Sequence, residues 1–122
     1  MQLLQYTNRL LLACDEASSR FFDMRERDAV PDFYNQVKPY ADDMRELLLE
    51  WQGLAHHWIS AHQPKYMHKQ QIDHAVDGME QFFVQSFYKE TSKKRFLQSI
   101  EAAKYTLTTL ERYLQEGETD AK

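Results

Sequence analysis

Apolar residues recur in this chain at alternating spacings of three and four, over four long stretches. The longest uninterrupted track comprises Phe33, Val37, Tyr40, Met44, Leu47, Trp51, Leu54, Trp58 and Ala61. An α-helix has 3.6 residues per turn, so residues at these spacings lie on one side of it. No comparable stretch alternates with period two, and the pattern therefore predicts an all-α chain.

Three further stretches carry tracks of the same kind. Their apolar members are Leu3, Leu10, Cys14, Ala17, Phe21 and Met24; Ile72, Ala75, Met79 and Phe82; and Phe96, Ile100, Ala103, Leu107, Leu110 and Leu114. Thr7 is the one residue out of character in the first of them. The predicted helices span residues 2–27, 32–62, 66–90 and 92–116. Short connections make neighbouring helices antiparallel, which predicts an up-and-down four-helix bundle.

Prolines mark where the predicted helices stop or bend. Pro31 lies in the first connection, and Asp32 after it can cap the second helix. Pro39 falls inside the second pattern and has no backbone N–H to donate, so a kink or a short separate turn is expected there. The residue before a proline avoids the helical region, so Gln63 before Pro64 should end the second helix.

One domain is expected from a chain of 122 residues. It should span residues 1–116, and residues 117–122 are predicted to form a disordered polar tail. Gly53 and Gly78 lie inside predicted helices, where each lowers stability by about 1 kcal/mol.

Composition and charge exclude several classes of protein. The formal net charge is −4, so no overall positive field attracts nucleic acid or anionic lipid. The single Cys14 cannot form an internal disulfide, as expected of a reduced thiol in the cytoplasm. The longest apolar run, LLLAC, is far too short to span a membrane, and no signal peptide is visible. A soluble cytoplasmic protein is therefore predicted.

All five histidines lie between residues 56 and 74. Two ligands for one metal ion on one helix normally lie three or four residues apart, and no two of these histidines do. No metal or cofactor is therefore predicted. An enzyme that binds a metal ion or small ligand through His68 and His74 is the alternative. Counting back from Ile72 places His68 on the core side of the third helix, as a partly buried structural histidine or as a base.

Two basic strings, PKYMHK and YKETSKKRF, lie at opposite ends of the predicted third helix. Lys65, Tyr66 and His68 belong to the first string, and Lys94 and Arg95 belong to the second. About 30 Å of helix separates the two ends, so the strings cannot form one compact site. Aspartates share the second end and dilute its potential, which makes nucleic-acid contact there a weak alternative.

Aromatic residues are numerous, with two Trp, seven Tyr and seven Phe. Six of them are hard to bury together: Phe22, Tyr34, Tyr66, Phe83, Phe87 and Tyr88. An exposed remainder would mark a surface for a protein partner or for a homodimer.

Several short strings carry a family resemblance. They are Lys38-Pro39, Trp51, Pro64-Lys65-Tyr66, His68, Gln71-Ile72, Gln85-Ser86, Lys94-Arg95-Phe96 and Tyr105-Thr106-Leu107. In this order they resemble the YppE-like family of small Firmicutes proteins (DUF1798), over residues 33–114. The resemblance implies a four-helix bundle in a Gram-positive cytoplasm. It implies no activity, cofactor or catalytic residue.

The leading hypothesis is a non-enzymatic helical bundle that acts through protein contacts. It depends on the surplus of aromatic residues and on the lack of a catalytic constellation in the sequence. The candidate interaction surface comprises Lys65, Tyr66, His68, Lys94 and Arg95. The partner is expected to be a protein, with a homodimer as one form; neither a membrane nor a nucleic acid is expected.

Overall fold

A computed structural model describes the backbone of residues 1–120 and the side chains of residues 1–116. It confirms the predicted four-helix bundle, and no strand occurs within residues 1–120. The helices are α1 (Gln2–Glu26), α2 (Lys38–His62), α3 (Lys69–Gln85) and α4 (Lys93–Asp120), and one turn of π-helix, Phe33–Val37, precedes α2. Within the described part of the chain, no helix is long and apolar enough to cross a lipid bilayer.

Each of α1 and α3 packs closely against α4, and α2 packs against α3, while α1 and α2 touch less extensively. The predicted tracks of α1 and α4 are completely buried, and so is the predicted α3 track. The predicted burial of the α2 track is only partly confirmed, because Phe33 and Ala61 at its two ends are exposed. The buried side of α2 is formed by Met44, Leu48, Trp51, Ala55, Trp58 and Ile59.

The π-helical turn lies directly before Pro39, where a kink or separate turn was predicted. The Val37 N–H donates to the Asp32 carbonyl five residues back, at 3.2 Å, and the Lys38 N–H donates to the carbonyl of Phe33. Pro39 has no N–H for the next bond, so it fits only within the first turn of a new α-helix. The carboxylate of Asp32 accepts a bond from the Asn35 N–H at 3.1 Å and caps the turn, as expected.

Helix α2 ends at His62, as the Gln63-Pro64 pair predicted. Gln63 takes a left-handed conformation with φ of 46°, which turns the chain away from the helix axis.

Helix α3 is shorter than the predicted 66–90, at both ends. At its C-terminal end two side-chain hydroxyls bond to backbone carbonyls: Ser86 Oγ to Phe83 at 2.7 Å, and Thr91 Oγ1 to Gln85 at 3.0 Å. Such bonds compete with the helical pattern and favour a turn. Ser86 Oγ also accepts a bond from Arg20 Nε at 2.8 Å, which ties α1 to this turn.

Helix α4 begins one residue after Ser92, close to the predicted start, but it continues to Asp120. The predicted end of this helix, near residue 116, was therefore wrong, because the backbone stays helical to Asp120. Glycine lowers helix propensity but does not by itself end a helix, so Gly117 was a weak stop signal. The last two residues of the predicted tail, 121 and 122, lie outside the described residues.

Candidate interaction surface

His68 does not lie on the core side of α3, so that expectation was wrong. Its backbone is extended, with φ of −120° and ψ of 154°, and it occupies the N-cap position of α3. Its N–H donates to Oε1 of Gln71 at 2.6 Å. The helix begins only at Lys69, so counting back along a helix from Ile72 did not apply. Met67, one residue earlier, fills the buried position instead.

The other histidines have separate surroundings. His56 Nε2 lies 2.7 Å from an Asp73 carboxylate oxygen, and the His62 ring stacks on Trp58 at 4.8 Å between centroids. His57 and His74 are exposed, on α2 and α3 respectively. Among the described residues, no three His, Cys, Asp or Glu side chains are grouped so that they could hold a metal ion.

A carboxylate on α3 links that helix to α2. Asp73 accepts a bond from Gln52 Nε2 at 2.7 Å as well as contacting His56. These bonds, that from Gln52 first, hold the pKa of Asp73 below its ordinary value, since they stabilise the ionised carboxylate. The contact ties the two helices together beside the histidines.

Tyr66 and Lys65 lie at the start of the candidate surface, in the turn between α2 and α3. The Tyr66 side chain is 66% exposed, and the Lys65 ammonium lies 5.3 Å from its ring centroid. The Tyr66 N–H donates to the hydroxyl of Tyr113 on α4 at 3.0 Å. The turn is thereby held against α4 while its aromatic ring faces solvent.

The nearby aspartates neutralise only some of the basic residues at the opposite end, namely Arg27, Lys38 and Lys89. Lys89 lies 2.6 Å from Asp28, whose carboxyl pKa is lowered by that hydrogen bond. Lys94 and Arg95 are exposed and form no ion pair with another described side chain. Lys93 beside them is also exposed and forms no ion pair with a described side chain, so at least three cations at this end remain unpaired.

A groove between α3 and α4 connects the two ends of the candidate surface. Its largest hollow, about 570 Å³, lies nearer Arg95 and reaches His74. A second hollow, about 490 Å³, shares His74 with the first and continues to Tyr105. A third, about 390 Å³, shares Tyr105 and ends at Tyr66. Arg95 and Tyr66 thus lie at the two ends of a row of adjoining hollows along α4, which we call the α3–α4 groove, and not in one compact site.

Small residues line the middle of this groove. They are Ala75, Gly78, Ser99, Ala102 and Thr106. A Cβ atom built on Gly78 would meet nothing within 4 Å, so this glycine leaves open space and is not needed for close packing of helices. Beside this floor stands Tyr105, which is 70% exposed. The groove thus offers shallow hollows next to a prominent aromatic side chain.

Four charged side chains line the groove: Arg95 and Asp77 in its first hollow, and Arg112 and Glu116 in its last. The lining thus has two positive and two negative side chains. None of the four has an ion-pair partner among the described residues of its own chain.

The sequence prediction missed Tyr105, Arg112 and Glu116 as surface residues of interest. A signal for Glu116 was present in the sequence, since Arg95, Ala102, Thr109 and Glu116 follow one another at intervals of seven. Such a repeat places all four on one stripe of α4 that is distinct from its buried track. The stripe was overlooked because most of its members are polar.

Some of the six aromatic residues that were predicted to be hard to bury together are exposed. Phe83 and Phe87 are buried, whereas Phe22, Tyr34 and Tyr66 are exposed. The Lys93 ammonium lies 5.6 Å from the Phe22 ring centroid. Only Tyr66 of these residues lines the α3–α4 groove.

A family model described as a bacterial domain of unknown function, DUF1798, matches residues 7–114. The chain is 30% identical to the uncharacterized protein YppE of Bacillus subtilis over 105 residues, which is 86% of this chain and 85% of YppE. The crystal structure of YppE superposes with a TM-score of 0.93 at 26% identity, covering 97% of this chain and 96% of YppE. A Listeria innocua protein of unknown function has a TM-score of 0.93 at 29% identity, covering 98% and 96%.

Proposed function

Because the chain belongs to the DUF1798 family of bacterial domains of unknown function, we propose from its own surface that it is a non-catalytic protein-interaction module, acting in the cytoplasm through its α3–α4 groove. The observation that carries the proposal is the continuity of the groove from Tyr66 through Tyr105 to Arg95. Exposed tyrosines of this kind are enriched at protein interfaces, since they offer a large apolar area with a polar tip.

The dimensions of the groove favour a protein segment as its ligand. It runs beside α3, which has 17 residues and is therefore about 26 Å long. A helix or an extended segment of a partner can contact such a length, whereas small molecules are usually enclosed in one deep cleft. The balanced charges of the lining also disfavour a polyanion such as nucleic acid.

The chemistry of the groove favours binding over catalysis. His74 lines two of its hollows, whereas His68 lines none of the three, so the two imidazoles do not share the groove. Cys14 is buried, and burial raises the pKa of its thiol to about 12, which keeps it protonated and unreactive at neutral pH. A reduced, buried thiol also supports the proposed cytoplasmic location.

Site-specific photo-crosslinking in the native bacterium tests the proposal. A photoreactive amino acid replaces Gln98 or Thr106 in the groove, and Leu49, which is exposed on α2, serves as the control position. We expect groove positions to give a discrete protein adduct that the α2 position does not give. Adducts that are equal at all three positions, or absent from both groove positions, would contradict a docking role for the groove.

A matched pair of glycine variants then tests whether the groove must be open. Gly78→Leu fills the groove, and Gly53→Leu adds the same side chain on exposed α2; neither site has an atom within 4 Å of the new Cβ. We expect the crosslinked adduct to fall at least about tenfold in G78L only, the size of a lost interface contact of more than 1 kcal/mol. Equal adduct in both variants would show that the open groove is not used.

A further inference from the structure

We infer that the occupant of the α3–α4 groove is a second copy of this chain, in a symmetric dimer with the two α4 helices antiparallel; this rests on the proposed function of the groove. In a two-fold dimer the same patch of both subunits meets, so that patch must be complementary to itself. The charges and shapes along α4 fulfil this condition.

The charged residues select one position of the two-fold axis. With the axis between Tyr105 and Thr106, Arg95 and Glu116 lie equally far from it on opposite sides, about 16 Å along the helix at 1.5 Å per residue. Arg95 of one subunit therefore opposes the partner's Glu116, and Glu116 opposes the partner's Arg95. Neither residue is ion-paired to a described side chain of its own chain.

The second pair of charges agrees with the same axis. Arg112 opposes the partner's Ser99, which lines the same hollow as Asp77. Arg112 of one subunit thus faces the hollow of the partner that contains a carboxylate, and it faces no cation. A register shifted by two residues toward the N-terminus would oppose Arg95 and the partner's Arg112, and like charges destabilise such a contact.

The shape of the groove is also complementary to itself. Tyr105 is 70% exposed and lies at the axis, beside the small residues Ala102 and Thr106. In the antiparallel arrangement, the Tyr105 ring faces the partner's Thr106 and the hollow next to it. Aromatic side chains that enter hollows of this kind supply much of the stability of protein interfaces.

Sedimentation velocity of the full chain over a concentration series tests the inference, at about 50 mM salt, where charges are screened less than at physiological ionic strength. We expect a monomer–dimer equilibrium. Arg95→Glu and Glu116→Arg should each raise the dimer dissociation constant at least about tenfold, because each turns two attractive contacts into repulsive ones. The double variant R95E/E116R should return within about threefold of the unmodified protein, since it restores both pairs with exchanged signs.

Arg45→Glu is the matched control, because Arg45 is an exposed arginine that lines a hollow between α2 and α3. It should leave the dimer unchanged, and circular dichroism should show full helix content in every variant. A protein that stays monomeric at every concentration overturns the inference. So does a dimer whose dissociation constant is insensitive to the charge exchanges, or one that the double variant does not restore.

Failure of the dimer and failure of the proposed function are distinguishable by the groove crosslinks. If a different protein is captured at Gln98 or Thr106 and the chain is monomeric, the inference fails and the interaction function stands. If neither a second copy nor another protein is captured there, both fail.

Discussion

Thr7 interrupts the apolar track of α1, and its side chain is nevertheless completely buried. Its hydroxyl accepts a hydrogen bond from Trp51 Nε1 at 3.0 Å and donates to the Leu3 carbonyl at 2.7 Å. The indole N–H of Trp51 would otherwise be buried without a partner, which carries a substantial desolvation cost. A residue that looked out of character in the sequence therefore joins α1 to α2 through a buried hydrogen bond.

Replacement of Thr7 by valine tests this role. Valine has nearly the same shape but cannot accept the bond, so Thr7→Val should lower the free energy of unfolding by about 1–3 kcal/mol, as measured by urea denaturation. Thr7→Ser keeps the hydroxyl and should retain the bond to Trp51. A valine variant as stable as the unmodified protein would mean that the hydrogen bond contributes nothing net.

At the scale of the helices, the boundaries depended on interactions that spacing does not reveal. The Gln63-Pro64 pair correctly predicted the end of α2, because the restriction before proline is local. The end of α3 was predicted too late, because Ser86 bonds both to the Phe83 carbonyl and to Arg20 on another helix. Sequence rules thus predicted the end of α2, which depends on neighbouring residues, but not the end of α3, which depends partly on a contact with another helix.

Two glycines inside helices lower the stability of the protein. Gly53 and Gly78 both lie inside helices with open space at the Cβ position. Gly53→Ala and Gly78→Ala should each raise the free energy of unfolding by about 0.5–1 kcal/mol, because alanine loses less backbone entropy on folding. Urea denaturation of both single variants and the double variant would measure this, with additive effects expected. A loss of stability in either variant would reveal a steric constraint at that glycine.

Hydrogen-bonded carboxylates make the stability of the whole molecule sensitive to acid. The pKa of Asp73 is lowered by its bonds from Gln52 and then His56, that of Asp28 by Lys89, and that of Asp32 by Asn35. A carboxyl group whose pKa is lower in the folded state stabilises the fold at every pH above about 4, the pKa of the group in the unfolded chain. This stabilisation is lost as the pH falls through the lower folded value. The midpoint of thermal unfolding should therefore decrease as the pH falls below about 4.

Comparison with Asp73→Asn isolates one of these groups. The variant has no carboxyl group to titrate at this position, so it should unfold at a lower temperature than the unmodified protein at neutral pH. The difference should shrink as the pH falls through the folded pKa of Asp73, because protonation then removes the same charge. Circular dichroism melts at a series of pH values would measure it. A difference that stays constant down to pH 2 would contradict the assignment.

The class of fold and most of the core were predictable from the amino-acid sequence, because helical periodicity depends only on the 3.6-residue turn and on the burial of apolar side chains. The sequence also indicated Tyr66, Lys94 and Arg95 as exposed surface residues, which they are. The packing of the helices was needed to show that Tyr66 and Arg95 lie along the same groove as Tyr105 and Glu116. The course of a groove depends on which helices lie side by side and which faces they leave uncovered, and those are properties of packing between residues far apart in the chain.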